Sequence, residues 1–161
     1  MNKPVKILVV GCGNMGSSHA RAYHALRDFD IAGLVSRSEE SRERLSDTLG
    51  GYPTFSSLQE ALENSEVEAV SINTYPDSHA PLVREALEAN CHVFVEKPLA
   101  TTVEAAEELV ALALEKRKVL MVGYILRVHP AWMRFVHIAQ KLGKPLVMRM
   151  NLNQQSSGLQ W

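Results

Sequence analysis

Two short stretches hold the residues best able to do chemistry. In Val93-Phe94-Val95-Glu96-Lys97-Pro98 a β-type run delivers a carboxylate and an amine directly into a proline. In ILVVGCGNMGSSHARAY the glycines fall as Gly11-x-Gly13-x-x-Gly16, after an apolar run and before a helical pattern. Hydride transfer to or from a carbinol carbon requires a proton to move on its oxygen. An ammonium at the carboxyl end of a strand can donate that proton or polarise a carbonyl, which makes Lys97 the candidate catalytic residue. The bland alternative is a structural Glu96–Lys97 ion pair on a loop.

The glycine spacing suits a pyrophosphate. Gly11 permits the tight turn, Gly13 lets backbone approach the phosphates, and Gly16 lets the helix pack closely on the sheet. Asn14 and Met15 complete the same candidate cofactor loop, whose helix offers free amides and a positive dipole end. Turn punctuation alone is the competing account. His19 and His24 lie on this helix, and satisfied structural histidines are preferred to catalytic ones.

An NAD-specific site places an acidic residue about 20 positions further on, to take the ribose hydroxyls. The second strand ends here in Leu34-Val35-Ser36-Arg37-Ser38, with serine at the expected place. Arg37 flanked by the hydroxyls of Ser36 and Ser38 suits a 2′-phosphate, because guanidinium pairs with phosphate in a bidentate way. The sequence therefore favours NADP over NAD, the alternative being a solvated loop.

These residues need a frame. Apolar runs rich in Val and Ile predict strands near Val5–Val10, Ile31–Val35, Ala69–Asn73, His92–Val95 and Val119–Gly123, with a weak one at Thr54-Phe55. Runs apolar at consecutive positions are those of parallel strands covered on both faces. Helices alternate with them. Ser56-x-x-Gln59 and Thr101-x-x-Glu104 fit capping boxes, and Asp77 is a candidate N-cap for a helix over 81–89. Leu82, Val83, Ala86 and Leu87 form the inward stripe of that helix. Ala106, Leu109, Val110 and Ala113 form the stripe of the next. The pattern is that of a doubly wound parallel α/β sheet with right-handed crossovers, a dinucleotide-binding Rossmann fold.

Composition bounds the rest. The chain has 161 residues, 46% hydrophobic and 22% charged, with net charge −1. This gives no electrostatic reason to expect nucleic acid or a membrane as partner. The apolar run before Gly11 is shorter than the ~7–15 residues of a signal-peptide core. Cys12 and Cys91 form neither a disulfide framework nor a metal-ligand spacing, and the histidines show no metal pairing, so no metal is expected and a reducing cytoplasm fits.

The last forty residues change character. A helix is expected from Pro130 to Leu142-Gly143. After it, Leu146, Met148, Met150 and Leu152 alternate with polar or exposed positions, as in a strand with one wet face. A lone amphipathic strand is not stable by itself. The expected organisation is a Rossmann domain over 1–124 and, over 125–161, a connecting helix and the first strand of a second, truncated α/β domain.

Four segments, GCGNMGSSHARAY, NTYPDSHAPLVREAL, CHVFVEKPLATT and VGYILRVHP, in this order and spacing, resemble the glucose–fructose oxidoreductase/inositol dehydrogenase/MocA (Gfo/Idh/MocA) family. The resemblance implies an NAD(P)-dependent oxidoreductase acting on sugars, cyclitols and their derivatives. It implies that Asn73, Thr74 and Tyr75 line the cofactor and that His79 lies close to it. Glu96 would hold the nicotinamide-side ribose, Lys97 would reach the substrate oxygen, and Pro98, often after a cis peptide, would fix the turn. Tyr124 and Arg127 match a segment that approaches the nicotinamide, although Tyr124-Ile125 stands where many relatives carry Phe-Asn. The family's second domain supplies an Asp and a His that complete proton transfer, and neither can be assigned here. The chain is thus expected to hold a cofactor site and half a catalytic site. Its small-molecule partner would be a sugar or cyclitol, and a homo-oligomer is compatible with the family's assembly through the second domain. A stand-alone dinucleotide-binding sensor or scaffold is the rival. A methyltransferase would require an acidic residue at position 36 and has no use for Lys97.

Overall fold

In a strand successive side chains point to opposite faces, so the consecutive apolar residues Ile7-Leu8-Val9-Val10 must be covered on both. The computed structural model, which describes residues 3–144, 147 and 149, shows this. Ile7 and Val9 enter one core with Cys12, Ala20, Ile31 and Leu34. Leu8 and Val10 enter the other with Val70, Ile72, Val83 and Leu109. Their strand, β1 (Val5–Val10), lies between β2 (Phe29–Val35) and β4 (Ala69–Ile72). The sheet order is β3-β2-β1-β4-β5-β6, with β3 at Thr54–Phe55, β5 at His92–Val95 and β6 at Leu120–Val122. Every neighbouring pair is parallel.

Helices cover both faces, as the strand composition predicts. α1 (Asn14–Ala25) and α2 (Glu39–Leu49) contribute Ala20, Leu45 and Leu49 to the first core. α3 (Leu58–Asn64), α4 (His79–Glu88) and α5 (Val103–Glu115) contribute Leu58, Val83, Leu87 and Leu109 to the second. Full burial of each such Leu or Val contributes about 1.5–3 kcal/mol, so the sheet and its two layers stand or fall together. This is the doubly wound Rossmann arrangement. The chain divides into two compact units between Tyr124 and Ile125. The second contains a 3-10 turn, Ile125–Arg127, and α6 (Pro130–Gln140), whose proline occupies the first turn. The alternating strand expected from Leu146 lies, apart from residues 147 and 149, outside the described residues.

Four local expectations shift. The box expected at Ser56 forms one residue later: Ser57 Oγ accepts the Glu60 N–H, and the Glu60 carboxylate takes the N–H and hydroxyl of Ser56. That register makes Leu58, which is buried, the first helical residue. The cap of α5 is Thr102, whose Oγ1 accepts the Ala105 N–H; with alanine there, no carboxylate returns the bond. Among the described residues Asp77 caps no helix, because Pro76–Ser78 forms a 3-10 turn that runs directly into α4 at His79. Val110 is 47% exposed rather than inward. It lines a shallow groove with Leu99, Leu114 and Tyr124, while Leu109 and Ala113 take the buried side of α5.

Candidate functional site

The strand order reverses between β1 and β4, and the crevice beyond the carboxyl ends of strands at such a reversal is where open α/β sheets bind ligands. Backbone bonds step across that end. The N–H groups of Gly11, Asn73, Glu96 and Gly123 donate to the carbonyls of Val35, Val10, Ile72 and Val95, each at 2.8 or 2.9 Å. The glycine turn and the ends of β4, β5 and β6 thus meet along one rim.

Sterics fix the turn. Gly11 has φ +95°, and a Cβ there would lie 2.6 Å from the Asn73 carbonyl oxygen. A Cβ on Gly16 would lie 1.6 Å from the Gly11 carbonyl oxygen. Gly13 differs: among the described residues, nothing beyond its chain neighbours lies within 4 Å of the position its Cβ would take. It caps α1 with no side-chain hydrogen bond, and no acidic residue occupies the first turn. Asn14 and Met15 are exposed beside it. Free amides, a positive dipole end and open space together fit the phosphates of a dinucleotide. Cys12 points the other way, with Sγ 3.6 Å from the Val35 carbonyl oxygen. Burial pushes its thiol up to about 11, against the opposing charge of Arg42.

The ends of β4 and β5 carry the remaining polar groups. Asn73 is buried; its Nδ2 donates to the carbonyl and hydroxyl oxygens of Ser71, both at 3.1 Å. Its Oδ1 is buried without a partner among the described residues. Thr74 is half-buried and accepts at Oγ1 from the Ser78 hydroxyl at 2.7 Å, while Tyr75 is exposed. His79 is fully buried, with Nδ1 2.6 Å from the Pro98 carbonyl oxygen and Nε2 3.0 Å from that of Thr74. Carbonyl oxygens only accept, so a neutral ring donates to one of them at a time. Glu96 is 7% exposed, its Oε1 3.0 Å from His19 Nε2 and its Oε2 accepting the Lys97 N–H at 3.2 Å. There is no Glu96–Lys97 side-chain ion pair among the described residues. Lys97 is exposed, and the Lys97–Pro98 peptide is cis. Tyr124 is exposed just beyond Gly123.

The end of β2 forms a separate rim. Ser36 Oγ accepts the Ser38 N–H at 3.3 Å, and Ser38 Oγ caps α2 by accepting the Ser41 N–H at 3.2 Å. Arg37 is exposed, with no partner among the described residues. Arg42 was not anticipated. It lies one turn into α2, its side chain 15% exposed, and donates from Nη1 to the Ser36 carbonyl at 3.1 Å. Glu39 and Glu43, at 4.0 and 3.8 Å, share its charge. Its position four residues after the Ser38 cap is the signal that could have found it. Arg127 belongs to the second unit.

A parallel sheet with an uncapped, glycine-lined helix start at its strand-order reversal defines a dinucleotide-binding domain. Residues 5–124 match the oxidoreductase family with an NAD-binding Rossmann fold designated Gfo/Idh/MocA, and the chain belongs to that family. UDP-N-acetylglucosamine 3-dehydrogenase of Acidithiobacillus ferrooxidans is 34% identical over 125 residues, covering 76% of this chain and 38% of that protein. Inositol 2-dehydrogenase 4 of Saccharopolyspora erythraea is 32% identical over 154 residues, 91% of this chain and 45% of that one. GenD2 from gentamicin A biosynthesis, solved in complex with NAD, has a TM-score of 0.82 at 31% identity, over 86% of this chain and 40% of its own. KijD10, a 3-ketoreductase from Actinomadura kijaniata solved with NADP and TDP-benzene, has a TM-score of 0.77 at 28% identity, over 87% and 42%. The chain spans less than half the length of each of these proteins.

Proposed function

We propose that this chain is the cofactor-binding part of an NADP-preferring oxidoreductase that acts on a sugar- or cyclitol-type substrate, with residues 125–161 beginning a second domain. The supporting observation is the meeting of an open, uncapped helix start with the Glu96-Lys97-Pro98 segment along one rim of the sheet. Gly11, Gly13, Asn14, Met15 and Gly16 would hold the pyrophosphate. Ser36, Arg37 and Ser38 would face the 2′-phosphate, with Arg42 behind them. Asn73, Thr74, Tyr75, Glu96, Pro98 and Tyr124 would border the rest of the cofactor, with the buried His79 behind them.

The bound nicotinamide would supply or accept the hydride. Lys97 handles the accompanying proton. Its ammonium donates to the reacting oxygen on reduction, and its amine takes that proton back on oxidation. Freedom from an ion pair with Glu96 leaves the amine available for this. The activities of the two relatives, on a nucleotide sugar and an inositol, support the substrate class. Titration of the chain with NADPH and NADH tests the reading. NADPH should bind more tightly, and binding of neither would overturn the cofactor assignment. In a complete enzyme Lys97→Ala should lower turnover by about 10²–10⁴-fold and spare cofactor binding; retained turnover would refute the role of the lysine.

A further inference from the structure

A long amine that must meet one oxygen needs its backbone held, because the side chain brings its own rotamer freedom. The sheet holds Glu96 through its N–H to the Ile72 carbonyl at 2.9 Å. Beyond that bond the segment leaves the ladder, and two histidines from different helices meet it. His19, from α1, sets Nε2 3.0 Å from Glu96 Oε1, and the second oxygen of that carboxylate takes the Lys97 N–H at 3.2 Å. Gly123 closes the other side, since a Cβ there would sit 3.2 Å from both carboxylate oxygens. Past the lysine, His79 from α4 reaches the Pro98 carbonyl oxygen at 2.6 Å.

We infer that His19 and His79 are positioning residues that clamp the Glu96-Lys97-Pro98 segment from its two ends and so hold the backbone that carries Lys97. The importance of the clamp rests on the reading of Lys97 given above; its existence does not. Each histidine ties a different layer to the segment, α1 from one face of the sheet and α4 from the other. The helix that would cradle the phosphates is thereby joined, through the Glu96 carboxylate, to the residue proposed to handle the proton. The rival is packing alone, because the His19 ring also lies 5.0 Å from that of Phe94 and 6.3 Å from that of Tyr23.

Hydrogen exchange at the Lys97 amide of the 161-residue chain separates the two. His19→Ala should speed that exchange about fivefold to tenfold, the scale of one hydrogen bond. His19→Gln, which keeps an N–H donor near the carboxylate, should recover most of the protection. His19→Phe, which keeps the ring, should not. In a Glu96→Leu background, which removes both the oxygen facing His19 and the acceptor of the Lys97 N–H, His19→Ala should add nothing further. His79→Ala should release the same amide, and if that chain does not fold, His79→Leu, which fills the space without an N–H donor, is measured in its place. Unchanged exchange in His19→Ala and in the His79 variant, recovery by Phe instead of Gln at position 19, or full additivity with Glu96→Leu would each overturn the clamp. A wild-type chain that binds neither NADPH nor NADH would overturn the functional reading instead and leave the exchange result standing.

Discussion

The glycine turn after β1 and the charged segment after β5 lie on the same rim but are fixed by opposite means. At the turn the backbone itself sets the geometry: a single added carbon on Gly16 would lie 1.6 Å from the Gly11 carbonyl oxygen. At the end of β5 side chains from far along the chain do so, His19 lying 77 residues from Glu96. A backbone-built site tolerates almost no substitution at its fixed points, whereas a site built from side chains can lose one contact and keep its outline. The first is suited to a ligand part that does not change during reaction, the second to a group that must move a proton.

Substitutions can sharpen that contrast. Gly16→Ala should have the largest effect, destabilising the chain by about 3 kcal/mol or more in thermal or denaturant unfolding. Gly13→Ala should leave unfolding unchanged yet weaken NADPH binding, because its Cβ meets open space that the ligand would need. If both variants merely unfold, the turn is structural and the contrast fails. At the other end Gly123→Ala should cost about 1–2 kcal/mol, as the added carbon presses on the Glu96 carboxylate. Arg37→Ala should weaken NADPH about tenfold and NADH little, the scale of one charged hydrogen bond; equal loss of both in a binding titration would remove Arg37 from the 2′-phosphate. The smallest effect is confined to alkaline solution. The Cys12 thiol, pushed up to about 11 in the fold, keeps its proton where the unfolded chain loses it. Stability should therefore fall as pH rises from about 9 toward 11, and Cys12→Ala should flatten that fall in unfolding curves measured across the range.

The same contrast explains what the sequence revealed. Glycine spacing is a local steric code, so the turn, the strand before it and the helix after it could be read together. Consecutive Val and Ile runs announced a sheet covered on both faces, and residue type alone singled out Glu96-Lys97-Pro98, which follows directly on β5. The partners of Glu96 could not be read this way. Gly16-x-x-His19 places the histidine one turn beyond a glycine packed on the sheet, which gives its direction but not its target. Val110 misled because a helical stripe marks the apolar side of α5 without saying how wide a layer lies beneath it. The caps at Ser57 and Thr102 were legible to within one residue, since adjacent hydroxyls offer two registers and burial of Leu58 selects one at the first site.

The sheet also tapers toward its margins. β3 has only 2 residues and β6 only 3, while β1 and β2 inside have 6 and 7. Unpaired N–H and C=O groups along an outer strand are templates on which other chains can polymerise. So short a margin at each side offers little template among the described residues, and intermolecular β-addition should be a poor route to aggregation for this domain.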